Sequence, residues 1–497
     1  MLKTDMGNQM TSWLNYNRDD GAAPRKAAAI ILFEQATGAA LLVRRNDALA
    51  FMGGHHAFPG GGISQRDTGC RVQGATNVEQ ARTITAAVRE LFEETGILLA
   101  KGAPMSSEEK AVLRQNVLRH PDIFEDRLEA EGLLISAQQF APAGRWITPT
   151  FAPMRFDTQY FLYRCNSLLP ASPIGHEGEI TETVWLKPCE ALDMRARGAI
   201  LMSTPVVFAL RRLAALPLET ALDRLQHTPG FSEIIHDYIE PAHGVHIVPI
   251  KSRTLPPGRH TNCALIGETE LAIIDPGIDD AAAWTRFSSH LDEILAMAGG
   301  TLRAILLTHD HPDHSASVHR LARKYNAPVY AHAACYDKDI AITDKDCIEL
   351  AGAPPWRIRC LHTPGHHPGH FAFYEETTDT LLCGDMIANP GTVMIDPENG
   401  GDMYAYMRSL ERLSTLRPKL TIPAHGAPLP DETGSALIRK TIGHRNMRET
   451  RIKEALARGA NTIEAILEIA YDDTPKGLYP LARRQLRAHL NAMNVIV

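Results

Sequence analysis

The clearest pattern in the chain is a helical one between Asn77 and Thr95. Apolar positions there recur at about 100° per residue, the rotation of an α-helix, and together they form one stripe: Ile84, Ala87, Val88, Leu91 and Phe92. Asn77 is placed to cap the first turn, with Gln80 three residues later, and Gly96 is placed to end the last turn. The pattern therefore predicts an amphipathic helix whose second face is free for charged residues.

Short apolar runs predict strands on both sides of this helix. In the first half they lie at residues 28–33 and 40–44. Residues 199–228 predict a helical connector that is broken at Pro217. In the second half, strand patterns alternate with helix patterns: strands at 268–275, 302–308, 328–331 and 358–362, helices at 315–325 and 404–416. Alternation of this kind favours layered α/β architecture.

Length and composition agree with several folded domains. A chain of 497 residues is expected to divide into about three units. Its 44% hydrophobic and 22% charged residues are ordinary for globular proteins. Formal net charge is −7, which argues against a nucleic-acid-binding surface along the whole chain. No window resembles a membrane helix, so no membrane partner is expected.

The N-terminal segment and the cysteines indicate the cellular compartment of the protein. The segment Met1–Asp20 is polar and lacks the apolar core of a signal peptide. Eight cysteines occur without a CxxC spacing, which is typical of reduced, buried thiols. Both observations predict a cytoplasmic protein.

One short stretch concentrates metal-ligand side chains. Residues 308–314 read THDHPDH and follow an apolar run, so that His309, His311, Asp313 and His314 would leave a strand end together. Imidazole and carboxylate ligands in one small volume suit zinc or iron. Three more candidate ligands each follow an apolar run further along: His366 in TPGH, Asp385 in CGD and His425 in PAHG.

These motifs, with IDPG at residues 274–277, resemble the metallo-β-lactamase superfamily over roughly residues 240–430. The resemblance implies two ions, zinc or else iron or manganese, with His309, His311 and His366 on one and Asp313, His314 and His425 on the other. It also implies that Asp385 bridges the ions and that water between them is the nucleophile, with Asp313 counted among the catalytic residues. Asp275 is expected to orient the histidine turn. The neighbouring residues His332, His362, His367, His370 and Cys383 are expected to be structural.

The charged face of the first helix carries a second chemistry. Arg89, Glu90, Glu93 and Glu94 fall within an arc of roughly 140°. Carboxylates crowded in this way repel one another unless a cation neutralises them, and hard oxygen ligands suit magnesium or manganese. Residues 89–97, RELFEETGI, resemble the second half of the Nudix box, and residues 58–62, FPGGG, resemble its glycine turn.

The Nudix resemblance covers roughly residues 25–215 and implies roles for these residues. Glu90, Glu93 and Glu94 would bind magnesium or manganese, with Arg89 bracing them, and water would attack a diphosphate. The glycines of the turn are candidate cofactor-binding positions: Gly60, Gly61 and Gly62. Segments 146–149 and 155–158 resemble the coenzyme A-type branch of these proteins.

Two departures separate this chain from the Nudix pattern. Gly62 lies 27 positions before Arg89, which is about 13 residues more than the pattern allows. Position 81, eight before Arg89, is alanine where the pattern has glutamate, and Glu79 is the nearest substitute. Two interpretations therefore stay open. Either this site turns over a substrate, or the domain only binds or senses a nucleotide and regulates its neighbour.

The last segment predicts three helices, at residues 436–458, 462–471 and 482–493. Between Ile438 and Val497 there are 11 basic and six acidic residues, a local charge of +5. The segment resembles the winged-helix-like tail of a metallo-β-lactamase branch that includes an RNA-cutting member. A basic surplus suits phosphate contacts, whereas the alternative is a helical cap ringed by arginines.

These patterns together predict a mixed α/β (α+β) chain. We expect a polar segment at 1–24, a Nudix-like α/β/α sandwich with its connector at 25–228, a metallo-β-lactamase-like αβ/βα sandwich at 236–432, and a winged-helix-like unit at 436–497. The predicted function is that of a metal-dependent hydrolase of a small molecule, such as a coenzyme A ester or a nucleotide. The alternative is cleavage of single-stranded RNA with help from the basic tail.

Overall fold

A computed structural model describes twelve stretches of the chain: 23–49, 52–103, 105–148, 154–172, 178–226, 239–252, 254, 260–298, 300–336, 338–389, 391–430 and 432–497. The chain divides between residues 243 and 244 into two compact units. Nearly all of the predicted polar segment 1–24 and the last two residues of the predicted connector lie outside the described residues.

The first unit is built on an eight-stranded sheet. Its strands are β1 Arg25–Glu34, β2 Ala40–Arg45, β3 His55–Ala57, β4 Gly60–Gly62, β7 Phe140–Ile147, β8 Phe156–Cys165, β9 Ile180–Leu186 and β10 Leu201–Met202. A separate two-stranded sheet is formed by β5 Val72–Gln73 and β6 Ile135–Ser136. The sheet order is β10-β3-β2-β1-β8-β7, with β4 also paired to β1 and β9 to β2. The central pair, β1 and β8, is parallel.

Helices cover both faces of this sheet. They are α1 Val78–Thr95, α2 Ser107–Arg119, α3 Phe124–Ala130, α4 Pro188–Ala196, α5 Thr204–Ala215 and α6 Leu218–Gln226. The next strand along the described chain is β11 Ile239–Ala242. Side chains of a strand alternate between faces, and in β1 Ile30 packs in the cluster around α1 while Ile31 packs in the cluster around α5. The predicted α/β/α sandwich is confirmed.

Helix α1 begins and ends as its sequence predicts. The side chain of Asn77 accepts a hydrogen bond from the Gln80 amide at 2.8 Å, which satisfies one of the free donors of the first turn. Gly96 adopts a φ of 75°, a left-handed conformation, and its amide donates to the Phe92 carbonyl. Every residue of the predicted stripe is buried.

The second unit contains two sheets. In the first sheet, these strands follow one another in sequence order: β12 Val245–Lys251, β13 His260–Gly267, β14 Glu270–Ile274, β15 Thr301–Leu306, β16 Val329–His332 and β17 Ile340–Ile342. The second has β18 Cys347–Leu350, β19 Trp356–His362, β20 Phe371–Glu375, β21 Thr380–Asn389, β22 Leu420–Gly426 and β23 Leu429–Pro430, again in sequence order. Parallel pairing runs from β14 to β17 and between β21 and β22.

The helices of the second unit accompany these sheets and then form the tail. Those between strands are α7 Ala281–Ala298, α8 Pro312–Ser315, α9 Val318–Tyr325 and α10 Met403–Ser414; those of the tail are α11 Glu432–Ala457, α12 Ile463–Ala470 and α13 Tyr479–Ala492. The predicted helix at 315–325 is shorter than expected, because Ser315 belongs to the separate turn α8 and α9 begins only at Val318. The tail helices share an apolar cluster that includes Ile452, Leu467 and Leu486. Among the described residues, no helix combines the length and apolar character that crossing a membrane requires.

Removing the cap of α1 should weaken the first unit. We expect Asn77→Ala to lower the free energy of unfolding by about 1 kcal/mol, because the Gln80 amide loses its acceptor. Urea denaturation followed by circular dichroism measures this difference. Asn77→Ser is the matched control, since it keeps an acceptor and should cost less than Asn77→Ala. Equal stability of wild type and Asn77→Ala would contradict the assigned cap.

Candidate functional site

The histidine turn follows the end of β15. His311 precedes the short turn α8, whose first residue is Pro312, so the chain bends sharply and returns His314 beside His309, with ring centroids 4.1 Å apart. His311 Nδ1 lies 2.8 Å from His309 Nε2 and 3.1 Å from His366 Nε2. Three imidazole nitrogens thus converge, as predicted for the first ion, and form a group able to hold one.

A second group lies next to the first. It consists of Asp313, His314 and His425, whose ligand atoms also converge. Asp385 stands between the groups: its Oδ2 lies 3.3 Å from His366 Nε2, and its Oδ1 lies 3.2 Å from His425 Nε2. The structure therefore brings all seven predicted ligands of the C-terminal site together.

The outer nitrogens of His366 and His425 contact backbone carbonyls, and this sets which ring nitrogen of each carries the proton. His366 Nδ1 lies 2.6 Å from the Met394 carbonyl and His425 Nδ1 lies 2.9 Å from the His260 carbonyl. A carbonyl can only accept, so each Nδ1 carries the proton and each Nε2 presents a lone pair inward. His314 Nε2 is buried and makes no hydrogen bond. This donor set fits a pair of divalent cations.

Asp275 fixes the turn from behind. It is buried, and its carboxylate accepts hydrogen bonds from the Thr308 amide at 2.8 Å and the Thr308 hydroxyl at 2.7 Å, while His314 Nδ1 lies 2.9 Å from Oδ2. The IDPG segment approaches the turn so closely that a Cβ on Gly277 would lie 1.8 Å from the Asp313 carbonyl oxygen. The expected orienting role of Asp275 matches this geometry.

Charge in the site is unbalanced toward carboxylates. Burial lowers the pKa of His309, and it lowers the pKa of His311 to about 4, so both rings are neutral at pH 7 and able to bind metal. Burial also acts to lower the pKa of His314, but Asp275, Asp313 and Asp385 outweigh it and raise that pKa to about 10. A buried group of carboxylates that draws a proton in this way would also attract a cation.

The other nearby histidines and Cys383 have partners of their own. His370 contacts the Thr363 hydroxyl through Nδ1 at 2.8 Å and accepts from the Asp385 amide through Nε2 at 3.0 Å. His332 stacks on His362 with ring centroids 5.0 Å apart, and His367 Nε2 lies 3.2 Å from Asp310 Oδ1. The Cys383 thiol is buried and points to the Ile422 carbonyl. Among the described residues, none of the five belongs to a converging metal-type group, and their structural role stays a prediction.

The candidate Nudix residues also come together. Arg89 Nη1 donates to Glu90 Oε1 at 2.9 Å and to Glu93 Oε1 at 3.1 Å. The Gly60 amide donates to Glu94 Oε2 at 3.0 Å, and a Cβ on Gly61 would lie 2.4 Å from the Glu90 carboxylate. The glycine turn, which forms β4, therefore lies directly against the carboxylate face of α1.

The electrostatics of this face suit a hard cation. Burial raises the pKa of Glu90 to about 7, and burial also raises the pKa of Glu93 and Glu94. Neutralisation by a divalent cation would favour the charged carboxylates. The three carboxylates do not converge as tightly as the C-terminal ligands, since Arg89 holds two of them and Gly60 holds the third. In the part of the chain that the structure describes, the compact metal-type groups all lie in the second unit.

The sequence analysis missed one buried carboxylate beside this face. Asp67 is 2% exposed and pairs with Arg89. Glu79, the substitute expected for the glutamate absent at position 81, lies exposed in the first turn of α1. The sequence feature that could have indicated a role for Asp67 is its position in the unusually long segment between Gly62 and α1.

Known families match the chain in three successive regions. The family model of the NUDT19 Nudix domain matches residues 73–213. That of the metallo-beta-lactamase superfamily matches residues 256–336 and 341–425. That of the beta-lactamase associated winged helix domain matches residues 462–494.

Individual relatives match mainly one half. The Beta-lactamase-like protein 2 homolog of Drosophila melanogaster is 29% identical over 250 residues, which cover 47% of this chain and 82% of that protein. An Atrochrysone carboxyl ACP thioesterase of Claviceps purpurea is 29% identical over 202 residues, which cover 40% of this chain and 60% of the thioesterase. A Nudix hydrolase structure from Alicyclobacillus acidocaldarius is 25% identical, with a TM-score of 0.37, and covers 42% of this chain and 99% of that one.

The two catalytic-type domains define a metal-dependent hydrolase. The chain carries a Nudix domain in its N-terminal half and a metallo-beta-lactamase domain in its C-terminal half, and residues 462–494 match the associated winged helix domain.

Metal content should depend on the converging histidines. We expect the zinc-reconstituted chain to retain about two ions in the C-terminal centre and His311→Ala to lose at least one of them, because His311 belongs to the first group. Mass spectrometry of the desalted protein counts the zinc. His332→Ala, which removes a stacked histidine outside both groups, should retain the wild-type content. Unchanged zinc in His311→Ala would contradict the ligand assignment.

Proposed function

We propose that the C-terminal centre hydrolyses an acyl thioester of coenzyme A and that the Nudix domain hydrolyses the diphosphate of a coenzyme A compound. The observation that carries the proposal is the pair of sites in one chain, one with imidazole and carboxylate donors and one with carboxylates alone. The two donor sets suit different metals and different bonds of the same molecule. The thioesterase name of the Claviceps purpurea relative supports the first half.

The C-terminal ligands would be His309, His311 and His366 for one ion and Asp313, His314 and His425 for the other, with Asp385 contacting both. Zinc is the best fit for four or more imidazole donors. Two such ions would polarise the thioester carbonyl and make water a competent nucleophile near neutral pH.

The chain's own residues would keep that centre in shape through the reaction. Asp275 holds His314 Nδ1 at 2.9 Å, so the His314 ring cannot turn its Nε2 away from the ions. The Met394 and His260 carbonyls do the same for His366 and His425. Ligand rings held from behind in this way bind metal more tightly and in one orientation.

The Nudix domain would use Glu90, Glu93 and Glu94 to hold magnesium or manganese against a diphosphate. Arg89 would keep two of these carboxylates in place through its Nη1. The close approach of the glycine turn to Glu90 leaves backbone, with no side chain, beside the phosphate-binding face. Phosphoryl transfer depends mainly on such positioning and on charge stabilisation by the metal.

RNA cleavage remains the second candidate, and the charges of the tail argue against it. Most of the basic residues of the tail are ion-paired or buried: Arg439, Arg445, Arg448, Arg451, Lys453, Arg483, Arg484 and Arg487. A positive charge that already has a carboxylate partner releases fewer counterions when it contacts a phosphate. The arrangement favours the alternative of a helical cap.

Thioester hydrolysis should require Asp313. We expect a panel of acyl-coenzyme A esters to be cleaved by the zinc-loaded chain and Asp313→Ala to lose about 1,000-fold or more in kcat/KM, because metal stabilisation is worth several kcal/mol. Thiol release with a disulfide dye follows the reaction. Asp292→Ala removes an exposed carboxylate of the same unit and should keep wild-type rates. If no ester is hydrolysed while single-stranded RNA is cut, the RNA alternative replaces this proposal.

The Nudix half is tested separately. Glu93→Gln should abolish magnesium- or manganese-dependent cleavage of coenzyme A at its diphosphate, since the neutral amide cannot serve as a charged metal ligand. Phosphopantetheine release, measured by chromatography, reports the reaction, and thioester hydrolysis in the same sample is the internal control. If wild type cleaves no diphosphate and Glu93→Gln only changes how nucleotides affect thioester hydrolysis, the domain is a sensor.

A further inference from the structure

The segment between the glycine turn and α1 occupies the place of a longer side chain at position 81. Ala81 is buried and lies two helical turns before Arg89, where the Nudix pattern has glutamate. Gly69, with a φ of 82°, packs on it so tightly that a Cβ on Gly69 would lie 2.5 Å from the Ala81 Cβ. The residues 63–76, here called the inserted segment, therefore fill the space that a glutamate at position 81 would need.

The same segment brings a carboxylate to Arg89. Asp67 Oδ1 accepts from Arg89 Nε at 2.9 Å, and Asp67 Oδ2 accepts from Arg89 Nη2 at 3.0 Å. The pairing is bidentate, and the two side chains are only 3% and 5% exposed. Parallel hydrogen bonds of this kind fix the plane of a guanidinium. The Ser64 amide also donates to Asp67 Oδ2 at 2.7 Å, which fixes the carboxylate in turn.

Arg89 thus has two different edges. Its Nε and one edge of Nη2 face Asp67, and its Nη1 faces Glu90 and Glu93. Nη2 also donates to the Gly62 carbonyl at 2.9 Å, so the guanidinium ties the glycine turn to α1. A rotation of Arg89 would release two candidate metal ligands and the turn at once.

The inserted segment is itself anchored on both sides. The carboxylate of Glu125, on α3, accepts from the Thr68 amide at 2.6 Å and from the Thr68 hydroxyl at 2.8 Å. From α1, Arg82 Nε donates to the Asp67 carbonyl at 2.9 Å. Because the backbone on either side of the Asp67 side chain is held, its carboxylate has a fixed position relative to α1.

We infer that Asp67 is a positioning residue of the Nudix site, supplied by the inserted segment in place of the glutamate that α1 lacks at position 81. Asp67 orients Arg89, and Arg89 holds Glu90 and Glu93 in the geometry that binds the cation. The expected effect of Asp67 on turnover rests on the proposed hydrolysis of a diphosphate. Its expected effect on metal binding does not depend on the substrate.

The test measures Mn²⁺ binding to the full-length chain whose C-terminal centre has first been filled with zinc. Asp67→Asn keeps the shape of the side chain but loses the charge, and we expect it to weaken Mn²⁺ binding about 10- to 100-fold, the usual effect of losing a group that orients metal ligands. Electron paramagnetic resonance measures free Mn²⁺. Asp193→Asn, at an exposed carboxylate of the same unit away from the inserted segment, is the matched control and should bind as wild type does.

A second pair of variants separates positioning from bulk stability. Asp67→Glu restores a carboxylate and should recover part of the Mn²⁺ affinity. Asp67→Ala combined with Ala81→Glu should not recover it, because Gly69 blocks the space at position 81. With coenzyme A as substrate, Asp67→Asn should lower kcat more than it raises KM, since Arg89 acts on the metal ligands rather than on bound substrate.

The outcomes distinguish this inference from the proposed function. Mn²⁺ binding that depends on Asp67, in a chain that cleaves no coenzyme A, would support the inference and refute the proposed diphosphate hydrolysis. Mn²⁺ affinity and kcat equal to wild type in folded Asp67→Asn would overturn the inference and leave Asp67 as a neutralising partner of a buried arginine. Absence of Mn²⁺ binding in zinc-loaded wild type would overturn it as well.

Discussion

The C-terminal site depends on one buried carboxylate, that of Asp275. It binds the Thr308 amide and hydroxyl and the His314 ring, and so connects the end of β14 to the turn that follows β15. Asp275 adopts a φ of 53°, a left-handed conformation that aspartate tolerates better than most residues. That bend sends the chain on to Gly277, which lies against the Asp313 carbonyl. This link helps to fix the position of the turn relative to the sheet that carries it.

In the first unit, an ion pair holds the candidate site residues in place. A buried carboxylate holds a site residue in each unit: Asp275 contacts His314, which is itself a candidate ligand, and Asp67 contacts Arg89, which holds two candidate ligands. Burial makes such contacts strong, and it also makes the loss of one partner costly.

The sequence predicts the parts of the structure that depend on local pattern. Helix α1 was predictable because its stripe, its cap and its terminal glycine agree with one another. The convergence of the candidate C-terminal ligands was predictable, because four of them lie within six residues and the rest follow apolar runs. Helix α2 was missed: only Leu113, Arg114 and Val117 of its residues are buried, so it carries almost no apolar stripe. Asp67 was missed because its partner lies 22 positions away.

Charge in the tail shows a further limit of composition. The surplus of basic residues was counted correctly, but a count does not show which arginines have partners. Arg484 and Arg487 pair with Asp396 and Glu398, which lie outside the counted segment, and Arg445 is buried against the Val393 carbonyl. Long-range pairing of this kind is invisible to a local charge sum.

The central claim is that seven residues of the second unit form a binuclear centre around Asp385. Anomalous X-ray scattering at the zinc absorption edge, from crystals of the zinc-loaded full-length chain, tests it most directly. The account predicts two peaks, one beside His309, His311 and His366 and one beside Asp313, His314 and His425, with the Asp385 carboxylate between them. A single peak, or peaks that leave His425 or Asp385 without a metal contact, would contradict it.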